Sequence, residues 1–462
     1  MKRIWLRVVV YAVMVALAVG GVGIAGYMKS YGEFWGSIRT QPAPSLEGLE
    51  KPAHDPGKPT VAVLLGNATT EGLDFTIPYQ IFGMTGAYNV YAVAQDNGVR
   101  SLTGGVDVVP HYSFEELDAL LGGGPDIIAI PYMTQIKDRS FDPIREWIVK
   151  HRQATLLSIC AGAEMFASTG LLDGKVGATH WQTMSMISKL YPNVDWVEGK
   201  RYVTNENGRW VSSAGISSGI DATLYVVSRD LGEPAAKAAA EELRYPSYHF
   251  VNDPNVEPFR MDFRFSTYLL NNMFHWNKTD IGAMLYDGVE EMAVASVFDI
   301  YSDSGTTRVH SIAMTDGPVT TKYGLRLLAR NTVENAPAVD KTIVPGRDAR
   351  TLARDIAQAW TQRGNEEPMY VHADAPERFL FQAQLEDLAE QEDLMTARHA
   401  VKRLEFRATD FELRGFPFPL ETYAALLATL VGAVLLARLI DRKWVAKPKR
   451  GGAARGSERR AA

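Results

Sequence analysis

Cysteine is almost absent from this sequence of 462 residues. Cys160 is the only one, so the chain can form neither an intramolecular disulfide nor a cysteine-rich zinc site. A small disulfide-stapled fold is therefore excluded, and the length predicts two or three domains. A single cysteine is more often a buried apolar side chain than a reactive thiol. The residues around Cys160 must decide between these two interpretations.

Positive charge is scarce in the body of the chain. The net charge is −6 although both ends are basic, so residues 8–437 carry a larger acidic excess than the whole chain. An acidic body argues against nucleic acid as a partner. The basic ends, residues 1–7 and 438–462, require another explanation.

Long uncharged runs adjoin both basic ends. Residues 8–28 contain no charged side chain, and residues 416–437 contain only Glu421. About 20 apolar residues are enough for a membrane-spanning helix; a cleaved signal peptide and a buried core helix are the competing interpretations. Basic flanks stay in the cytoplasm, so the pattern predicts two transmembrane helices. We expect a two-span protein of a bacterial-type plasma membrane, with residues 1–7 and 438–462 cytoplasmic and the main body extracytoplasmic.

Short apolar runs alternate with helix-like stretches after a proline-rich linker at residues 29–59. The strand-like runs are VAVLL (61–65), NVYAVA (89–94), VDVVP (106–110), DIIAIP (126–131) and ATLLSIC (154–160). Residues 76–86 and 142–153 have helix-like patterns. This alternation predicts an α/β fold with a mostly parallel sheet covered by helices on both faces. In such a sheet, ligands bind beyond the carboxyl ends of the strands.

Cys160 lies at the end of one of these predicted strands. Ala161, Gly162 and Ala163 follow it, and residues 164–172 are predicted to form a helix. Small residues permit a sharp strand-to-helix turn, and a helix N-terminus lowers the pKa of a thiol placed there. The pattern therefore predicts a nucleophilic elbow in which the Ala161 N–H holds developing negative charge.

Two further side chains are candidates for the same site. His180 follows Cys160 beyond the predicted helix and would act as a base or an orienting partner, although a lone histidine is more often structural. Asp74 follows the first predicted strand, so it also lies at the carboxyl edge of the sheet. An acid there would hydrogen-bond the thiol; the competing interpretation is an ordinary helix N-cap.

The segment SICAGAEMFASTGLLDGKVGATHW (158–181) resembles the nucleophile segment of the DJ-1/PfpI superfamily. It is most similar to the DJ-1-like domains that precede AraC-type DNA-binding modules and to isonitrile hydratase. The resemblance covers residues 60–250 and implies a flavodoxin-like doubly wound parallel sheet. It also implies that Cys160 is nucleophilic or oxidation-sensitive, that Asp74 contacts it, and that Thr179-His180 match the family's histidine segment. No helix-turn-helix pattern follows, so a transcription-factor role does not carry over.

The sequence departs from the family at the strand that faces the elbow. Many family enzymes carry Pro-Gly-Gly there, and those backbone amides help to bind an oxyanion. Here the positions are Pro131, Tyr132 and Met133. Losing both glycines restricts the backbone and places Tyr132 beside the thiol, where it would block the oxyanion site or recognise a ligand.

Residues 280–410 resemble a second, partial copy of the same domain. The segments 291–329 and 72–110 align at one constant offset, without gaps. Residues 251–279 connect the two copies, and Trp276 is predicted to pack in the core there. We expect the two copies to pair inside one chain, as family members commonly pair in dimers. The competing interpretation is an unrelated α/β segment with similar patterning.

The site residues do not survive in the second copy. Ala293 stands in the place of Asp74, and at a shifted offset Asp374 stands in the place of Cys160. The second copy is therefore predicted to be degenerate and without a site of its own.

These observations leave three functions open. The first is a cysteine-dependent hydrolase, hydratase or lyase, with Cys160 attacking a carbonyl or isonitrile-like carbon, Asp74 carrying the proton and His180 assisting. The second is a non-catalytic thiol-based sensor or ligand-binding module, and the third is a scaffold. The sequence has no metal-ligand spacing and no phosphate-binding glycine loop, so no cofactor or metal is predicted. The expected partners are an unidentified small molecule, the membrane and, in a homo-oligomer, a second copy of the chain.

Overall fold

The computed structural model describes residues 2–262, 265–408 and 411–442. Most of the basic tail predicted at residues 438–462 lies outside these described residues. The helices are α1 Lys2–Phe34, α2 Gly72–Met84, α3 Phe114–Leu121, α4 Asp142–Lys150, α5 Gly162–Ser168, α6 Met184–Leu190, α7 Ile216–Leu231, α8 Glu233–Leu243, α9 His249–Asn252, α10 Phe265–Phe274, α11 Glu291–Tyr301, α12 Ala349–Leu352, α13 Arg354–Gln362, α14 Leu380–Gln391, α15 Leu394–Arg403 and α16 Leu420–Ile440.

The strands of the described residues are short and fall into two halves of the chain, separated by α7 to α10. They are β1 Thr60–Leu64, β2 Thr69–Thr70, β3 Asn89–Ala94, β4 Arg100–Leu102, β5 Asp107–Val109, β6 Tyr112–Ser113, β7 Ile127–Ile130, β8 Thr155–Ser158, β9 Val176–Gly177, β10 Asp195–Trp196, β11 Tyr202–Asn205, β12 Trp210–Ser213, β13 Thr279–Met284, β14 Thr307–Ala313, β15 Val319–Thr320, β16 Arg326–Leu328, β17 Asn331–Thr332 and β18 Lys341–Ile343.

A seven-stranded sheet forms the core of the first half, in the order β11-β12-β8-β7-β1-β3-β6. All neighbouring strands are parallel except β11 and β12. β1 and β7 are buried along their whole length, which explains why their sequences are unbroken apolar runs. The central order β3-β1-β7-β8-β12 is that of a flavodoxin-like doubly wound fold, so the predicted fold class is confirmed.

The second half contains a four-stranded parallel sheet in the order β17-β14-β13-β18. This order repeats β6-β3-β1-β7 of the first half, strand for strand. β13 begins at Thr279 and β1 begins at Thr60, and these two positions are related by the same offset at which the sequences align. Beyond β18, a single parallel bridge joins Ile343 to Met369, where the first half has β8.

A five-stranded sheet, in the order β15-β16-β5-β4-β2, joins the two halves. β5 pairs antiparallel with β16, with Leu327 opposite Val108 and Arg326 opposite Val109. The prediction that residues 106–110 belong to the parallel sheet is therefore wrong, because β5 finds its partner in the other half. Leu327 is the counterpart of Val108 in the alignment of the two copies, so each strand pairs with its own equivalent, as across a twofold axis.

Helices α2 and α11 pack against each other with the same symmetry. The Leu73 N–H donates to Asp299 Oδ2 over 2.8 Å, and the Met292 N–H donates to Gln80 Oε1 over 2.8 Å. Met292 and Asp299 are the counterparts of Leu73 and Gln80 in the aligned copies, so the two hydrogen bonds are reciprocal. Reciprocal contacts of this kind characterise an interface between two equivalent surfaces.

Among the described residues, α1 and α16 are the two helices long and apolar enough to cross a membrane. Only 6% of the most apolar window of α1 and 17% of that of α16 is buried, unlike a core helix. Arg7 Nε lies 2.9 Å from Asp441 Oδ1, so the start of α1 meets the end of α16 and the helices run antiparallel.

The two apolar helices differ in length from the predicted spans. α1 continues on both sides of residues 8–28, whereas α16 begins at Leu420 rather than at residue 416. Pro417 and Pro419 delay the start of α16 because a residue that precedes proline is disfavoured in helical conformation.

Helix α10 packs against α1 and α16 and connects them to the body. Gly26 permits this contact, because a Cβ there would lie 2.1 Å from the Met273 carbonyl oxygen. Trp276 is 53% exposed, so the prediction that it packs in the core is wrong. The cause is that α10 ends at Phe274, which leaves Trp276 beyond the packed helix.

Candidate functional site

Cys160 occupies the turn between β8 and α5. Its φ is +56°, a left-handed conformation that is strained for a residue with a Cβ. The Ile159 N–H donates to the Ile130 carbonyl over 3.0 Å, and the Gly162 N–H donates to the Ile159 carbonyl over 2.8 Å. Position 162 requires glycine, since a Cβ there would lie 2.2 Å from the Ile130 carbonyl oxygen. Gly162 therefore allows the sharp strand-to-helix turn that the sequence predicts.

The Cys160 thiol is covered, and the residue is only 6% exposed. Burial raises the pKa of the thiol well above its ordinary value, and the charges of Asp74 and Glu71 raise it further. The Ala161 N–H donates to the sulfur and acts in the opposite direction. The prediction of a lowered thiol pKa is therefore wrong, because α5 has only seven residues and burial dominates.

Asp74 is fully buried in the first turn of α2. Its Oδ2 accepts a hydrogen bond from the Tyr132 N–H over 3.3 Å, whereas its Oδ1 has no partner among the described residues. Burial raises the pKa of Asp74 well above its ordinary value, and the charge of Glu71 adds to this. The carboxyl group therefore loses its proton less readily than an exposed aspartate does.

Asp74 is not the N-cap of α2, the competing interpretation of its position. Glu71 is the N-cap, and its Oε2 accepts the Asp74 N–H over 2.5 Å. Glu71 was not among the site residues predicted from the sequence. A signal for it lies in the sequence alignment of the two halves, because Glu290 takes the place of Glu71 at the same offset and is the N-cap of α11.

A group of buried charges lies where the two halves meet. We call Glu71, Asp74, Asp299 and Asp303 the carboxyl cluster; each is at most 4% exposed. Arg403 of α15 is their cation: its Nη2 lies 3.3 Å from Glu71 Oε1, and its Nε lies 2.6 Å from Asp303 Oδ2. Burial raises the pKa of Asp303 to about 7 even beside this guanidinium. One arginine therefore compensates carboxyl groups from both halves.

His180 is bonded to the second half and not to Cys160. Its Nε2 lies 2.9 Å from the Arg403 carbonyl oxygen, and because a carbonyl only accepts, Nε2 carries the proton. Burial lowers the pKa of His180 to about 3, so the ring is neutral. Within the described residues, His180 makes no hydrogen bond to Cys160. In this structure the ring therefore anchors the backbone at Arg403, and the role of His180 as a base for the thiol stays a prediction.

Residues 402–406, which we call the closing segment, bind across the motifs that surround the elbow. The Trp181 Nε1–H donates to the Lys402 carbonyl over 3.1 Å. The Ser217 N–H donates to the Leu404 carbonyl over 2.9 Å. The second half thus covers both the histidine segment and the start of α7.

Glu405 binds the N-terminus of α7 from the closing segment. Its Oε2 accepts the Gly215 N–H over 3.0 Å and the Ser218 hydroxyl over 2.9 Å, and its carbonyl accepts from Arg201 over 2.8 Å. The first half supplies no side-chain cap for α7, so this carboxylate caps the helix across the two halves. Glu405 has φ +51°, a second strained residue at this junction.

Removal of the Glu405 carboxylate should open the site. We expect Glu405→Ala to lower the free energy of unfolding by about 1–3 kcal/mol, because two buried donors at the start of α7 lose their acceptor. Alkylation of Cys160 should become faster as the closing segment loosens. Glu412→Ala is the matched control, since Glu412 is exposed and pairs with the exposed Arg414. An alkylation rate equal to that of the unmodified chain would show that the closing segment does not control access.

Aromatic rings cover another side of the site. The Trp35 ring, just after α1, meets the Tyr132 ring edge-on at 5.6 Å, and the Arg403 guanidinium lies 5.5 Å from the Trp35 ring centre. Burial raises the pKa of Tyr132, and the nearby Cys160 contributes, so Tyr132 lies close to the thiol as predicted. None of the five main cavities in the described part of the chain is lined by Cys160. Because Cys160 is only 6% exposed, we expect access to the thiol to require movement of the covering residues.

The second half has no comparable elbow at the matching positions. Ala293 is buried in α11 where α2 has Asp74. Asp374 is exposed on the surface, where its Oδ1 lies 2.6 Å from Arg350 Nη2, and its φ is not positive. Across residues 2–262, 265–408 and 411–442, no group of three or more His, Cys, Asp or Glu side chains is arranged to hold a metal ion.

The strand order and the elbow define the class of this protein. It is a flavodoxin-like α/β protein with a cysteine held in a strained turn between a strand and a helix. Residues 59–229 match the model of the DJ-1/PfpI family. This part of the chain is a DJ-1/PfpI family domain, as the resemblance of its sequence implied.

Three known proteins give the extent of the similarity. The chain is 26% identical over 178 residues to isonitrile hydratase of Pseudomonas putida, covering 37% of this chain and 73% of that protein. The structure is similar to Drosophila melanogaster DJ-1beta, with 16% identity and a TM-score of 0.36, covering 40% of this chain and 97% of the other. It is also similar to a ThiJ/PfpI family protein of Pseudomonas syringae, with 19% identity and a TM-score of 0.36, covering 48% and 89%. Each comparison leaves more than half of this chain without a counterpart.

Proposed function

We propose that this protein is a cysteine-dependent hydratase or hydrolase of a small molecule with an isonitrile-like or carbonyl carbon. One observation carries the proposal: the thiol of Cys160, on a backbone with φ +56°, lies beside a buried Asp74 carboxyl, one oxygen of which has no partner among the described residues. Both features destabilise the folded chain, and proteins retain such features where chemistry requires them. The similarity to isonitrile hydratase supports the same class of reaction.

For an isonitrile, the proposed reaction adds one molecule of water in two steps. First, Cys160 Sγ bonds to the terminal carbon, and the thiol proton passes by way of Asp74 to the same carbon. The Ala161 N–H already donates to the sulfur. It would stabilise the negative charge that develops as the sulfur bonds to the carbon. Water oxygen then bonds to this carbon and the C–S bond breaks. One proton of the water goes to the substrate nitrogen and the other returns to the sulfur.

The second half is proposed to be a degenerate copy that acts as a permanent partner of the first. Three observations support this origin: the repeated strand order, the pairing of β5 with β16, and the reciprocal hydrogen bonds of α2 and α11. The second half contributes the closing segment, which includes Arg403, to the site.

The proposed location is a plasma membrane, with α1 and α16 as the two spans. The body would be extracytoplasmic and both chain ends cytoplasmic. Two observations support this arrangement: the helices are largely exposed, and the Arg7–Asp441 ion pair brings the basic ends to the same side.

A second candidate function is a thiol-based sensor. The observation that favours it is the closed site, in which the Cys160 thiol is buried, has a raised pKa and interacts electrostatically with Arg403 of the closing segment. In that case a ligand or a covalent change at Cys160 would displace the segment and be transmitted to α1 through Trp35.

Alkylation of Cys160 as a function of pH tests the site in the full chain, solubilised in detergent. The pKa of an ordinary thiol is about 8.5. Because burial and nearby charge raise the pKa of Cys160, we expect its alkylation to rise at higher pH than that. Asp74→Asn removes one neighbouring charge and should move the profile to lower pH.

Asp316→Asn, an exposed aspartate of the second half, is the control and should leave the profile unchanged. A thiol that does not react until the chain unfolds would contradict the enzyme and the sensor proposals and favour a scaffold.

A further inference from the structure

A cationic cavity lies beside α1, away from the thiol. It has a volume of about 190 Å³, several times the roughly 30 Å³ that one water molecule occupies in the liquid. It lies between α1, α10 and the residues that lead into β13. Its polar and aromatic lining includes Lys29, Ser30, His275, Trp276, Lys278 and Arg308.

The cations of this cavity keep unused donors. Lys278 Nζ donates to Ser30 Oγ over 2.7 Å and lies 2.9 Å from Glu33 Oε2, which leaves its third proton without a described partner. Arg308 Nη2 donates to Asp280 over 2.8 Å, but its Nε is buried and has no partner among the described residues. Buried donors without acceptors are unfavourable, so an acceptor ligand would stabilise this cavity.

In the described part of the chain, no carboxylate lines the cavity, although Glu33, Asp280, Glu392 and Glu421 lie behind it. Glu33 and Asp280 hold Lys278 and Arg308 from outside the lining. Lys29 adds a third cation at the rim, with 68% of its side chain exposed. The lining therefore fits an anion that offers several acceptor oxygens to ammonium and guanidinium groups, and a phosphate group has this chemistry.

The position of the cavity favours a phosphate attached to lipid. Lys29 is the first charged residue after Arg7, so the cavity begins where the uncharged stretch of α1 ends. Trp276 is 53% exposed beside it, and exposed tryptophan is enriched at the membrane–water interface. His275 Nε2 lies 3.8 Å from Glu421 Oε2 in the first turn of α16, so the second apolar helix starts at the same level.

We propose that this cavity binds the phosphate group of an anionic phospholipid in the outer leaflet. The inference rests on the membrane location proposed above and not on the chemistry of Cys160. The bound headgroup would accept hydrogen bonds from Lys278 and Arg308 while its acyl chains lie along α1. The lipid would thus fix the height of the body above the membrane.

The test measures binding of phosphatidylglycerol to the full chain in detergent by native mass spectrometry. We expect Arg308→Gln and Lys278→Gln each to weaken binding at least tenfold. Lys200→Gln, a half-buried lysine on the body that pairs with Asn255, should bind as the unmodified chain does. Unchanged Cys160 alkylation in each variant confirms that the fold is intact. Equal binding by the unmodified chain and Arg308→Gln would overturn the proposal.

A competition arm separates the two sources of phosphate. Inorganic phosphate at millimolar concentration should not displace the lipid; full displacement would overturn the lipid as ligand and indicate a free phosphate site. Membrane fractionation of the cells that express the chain tests the membrane location separately from the headgroup site. A chain that sediments with membranes but does not bind phosphatidylglycerol overturns only the headgroup site.

Discussion

Arg403→Met is expected to lower the free energy of unfolding by about 3–5 kcal/mol at pH 8. Arg403 is 3% exposed and lies 2.6 Å from Asp303 and 3.3 Å from Glu71. Methionine fills much of the same space but leaves the carboxyl cluster without its cation. Because an unpaired buried charge is the main penalty, the loss should be among the largest of any single substitution in this chain.

The effect of Arg403→Met should depend on pH. The pKa of Asp303 is raised to about 7 in the folded chain, so folding favours its protonated form. The stability that it contributes is fully present below its unfolded pKa of about 3.9 and is lost as the pH rises through 7. Without Arg403 the carboxyl groups hold their protons more tightly. The destabilisation should therefore be smaller at pH 5 than at pH 8.

Urea unfolding of the detergent-solubilised chain at the two pH values measures this effect. Arg398→Met, an exposed position of the same helix, is the control and should change stability by no more than about 0.5 kcal/mol. Equal losses at pH 5 and pH 8 would contradict the assignment of the penalty to buried carboxylates.

Cys160→Ser is expected to reduce the hydration of an isonitrile by at least about 10³-fold. Serine keeps the size of the side chain at the strained turn, but its hydroxyl is a much weaker nucleophile at neutral pH. Production of the N-substituted formamide, measured by chromatography, is the readout. The same comparison in the Glu405→Ala chain keeps the test valid if the closing segment limits entry of the substrate.

Thermal unfolding of Cys160→Ser serves as the control for this comparison, and its midpoint should remain close to that of the unmodified chain. Turnover that survives in Cys160→Ser would contradict the enzyme proposal. Turnover absent from every variant, together with adducts on Cys160, would favour the sensor.

Local patterns were sufficient to predict the first sheet. β1 and β7 are buried on both faces, so their sequences are apolar without interruption and identify them as central strands. The elbow was also predicted from a local pattern, because Cys160 and Gly162 are close neighbours in the chain. The apolar pattern of residues 106–110 was just as clear, but a pattern of burial does not specify which strand is the neighbour. β5 was therefore assigned to the wrong sheet.

The closure of the site could not be predicted in the same way. Arg403 and Glu405 reach the elbow from the far end of the second half. Their segment has the pattern of an ordinary amphipathic helix end, and nothing local marks a residue that will pack against another half. The prediction of the thiol pKa was also wrong, because burial and the charges of Asp74 and Glu71 raise this pKa, and a local pattern does not specify how deeply a turn is buried.

The pairing of β5 with β16 also decides how the association of the two halves depends on protein concentration. Two separate chains joined through this surface would dissociate on dilution, and the melting temperature of such a dimer would depend on the amount of protein. Here both surfaces belong to one polypeptide, so the effective concentration of one for the other is set by the connecting chain and not by expression level. The association of the two halves therefore survives at any dilution.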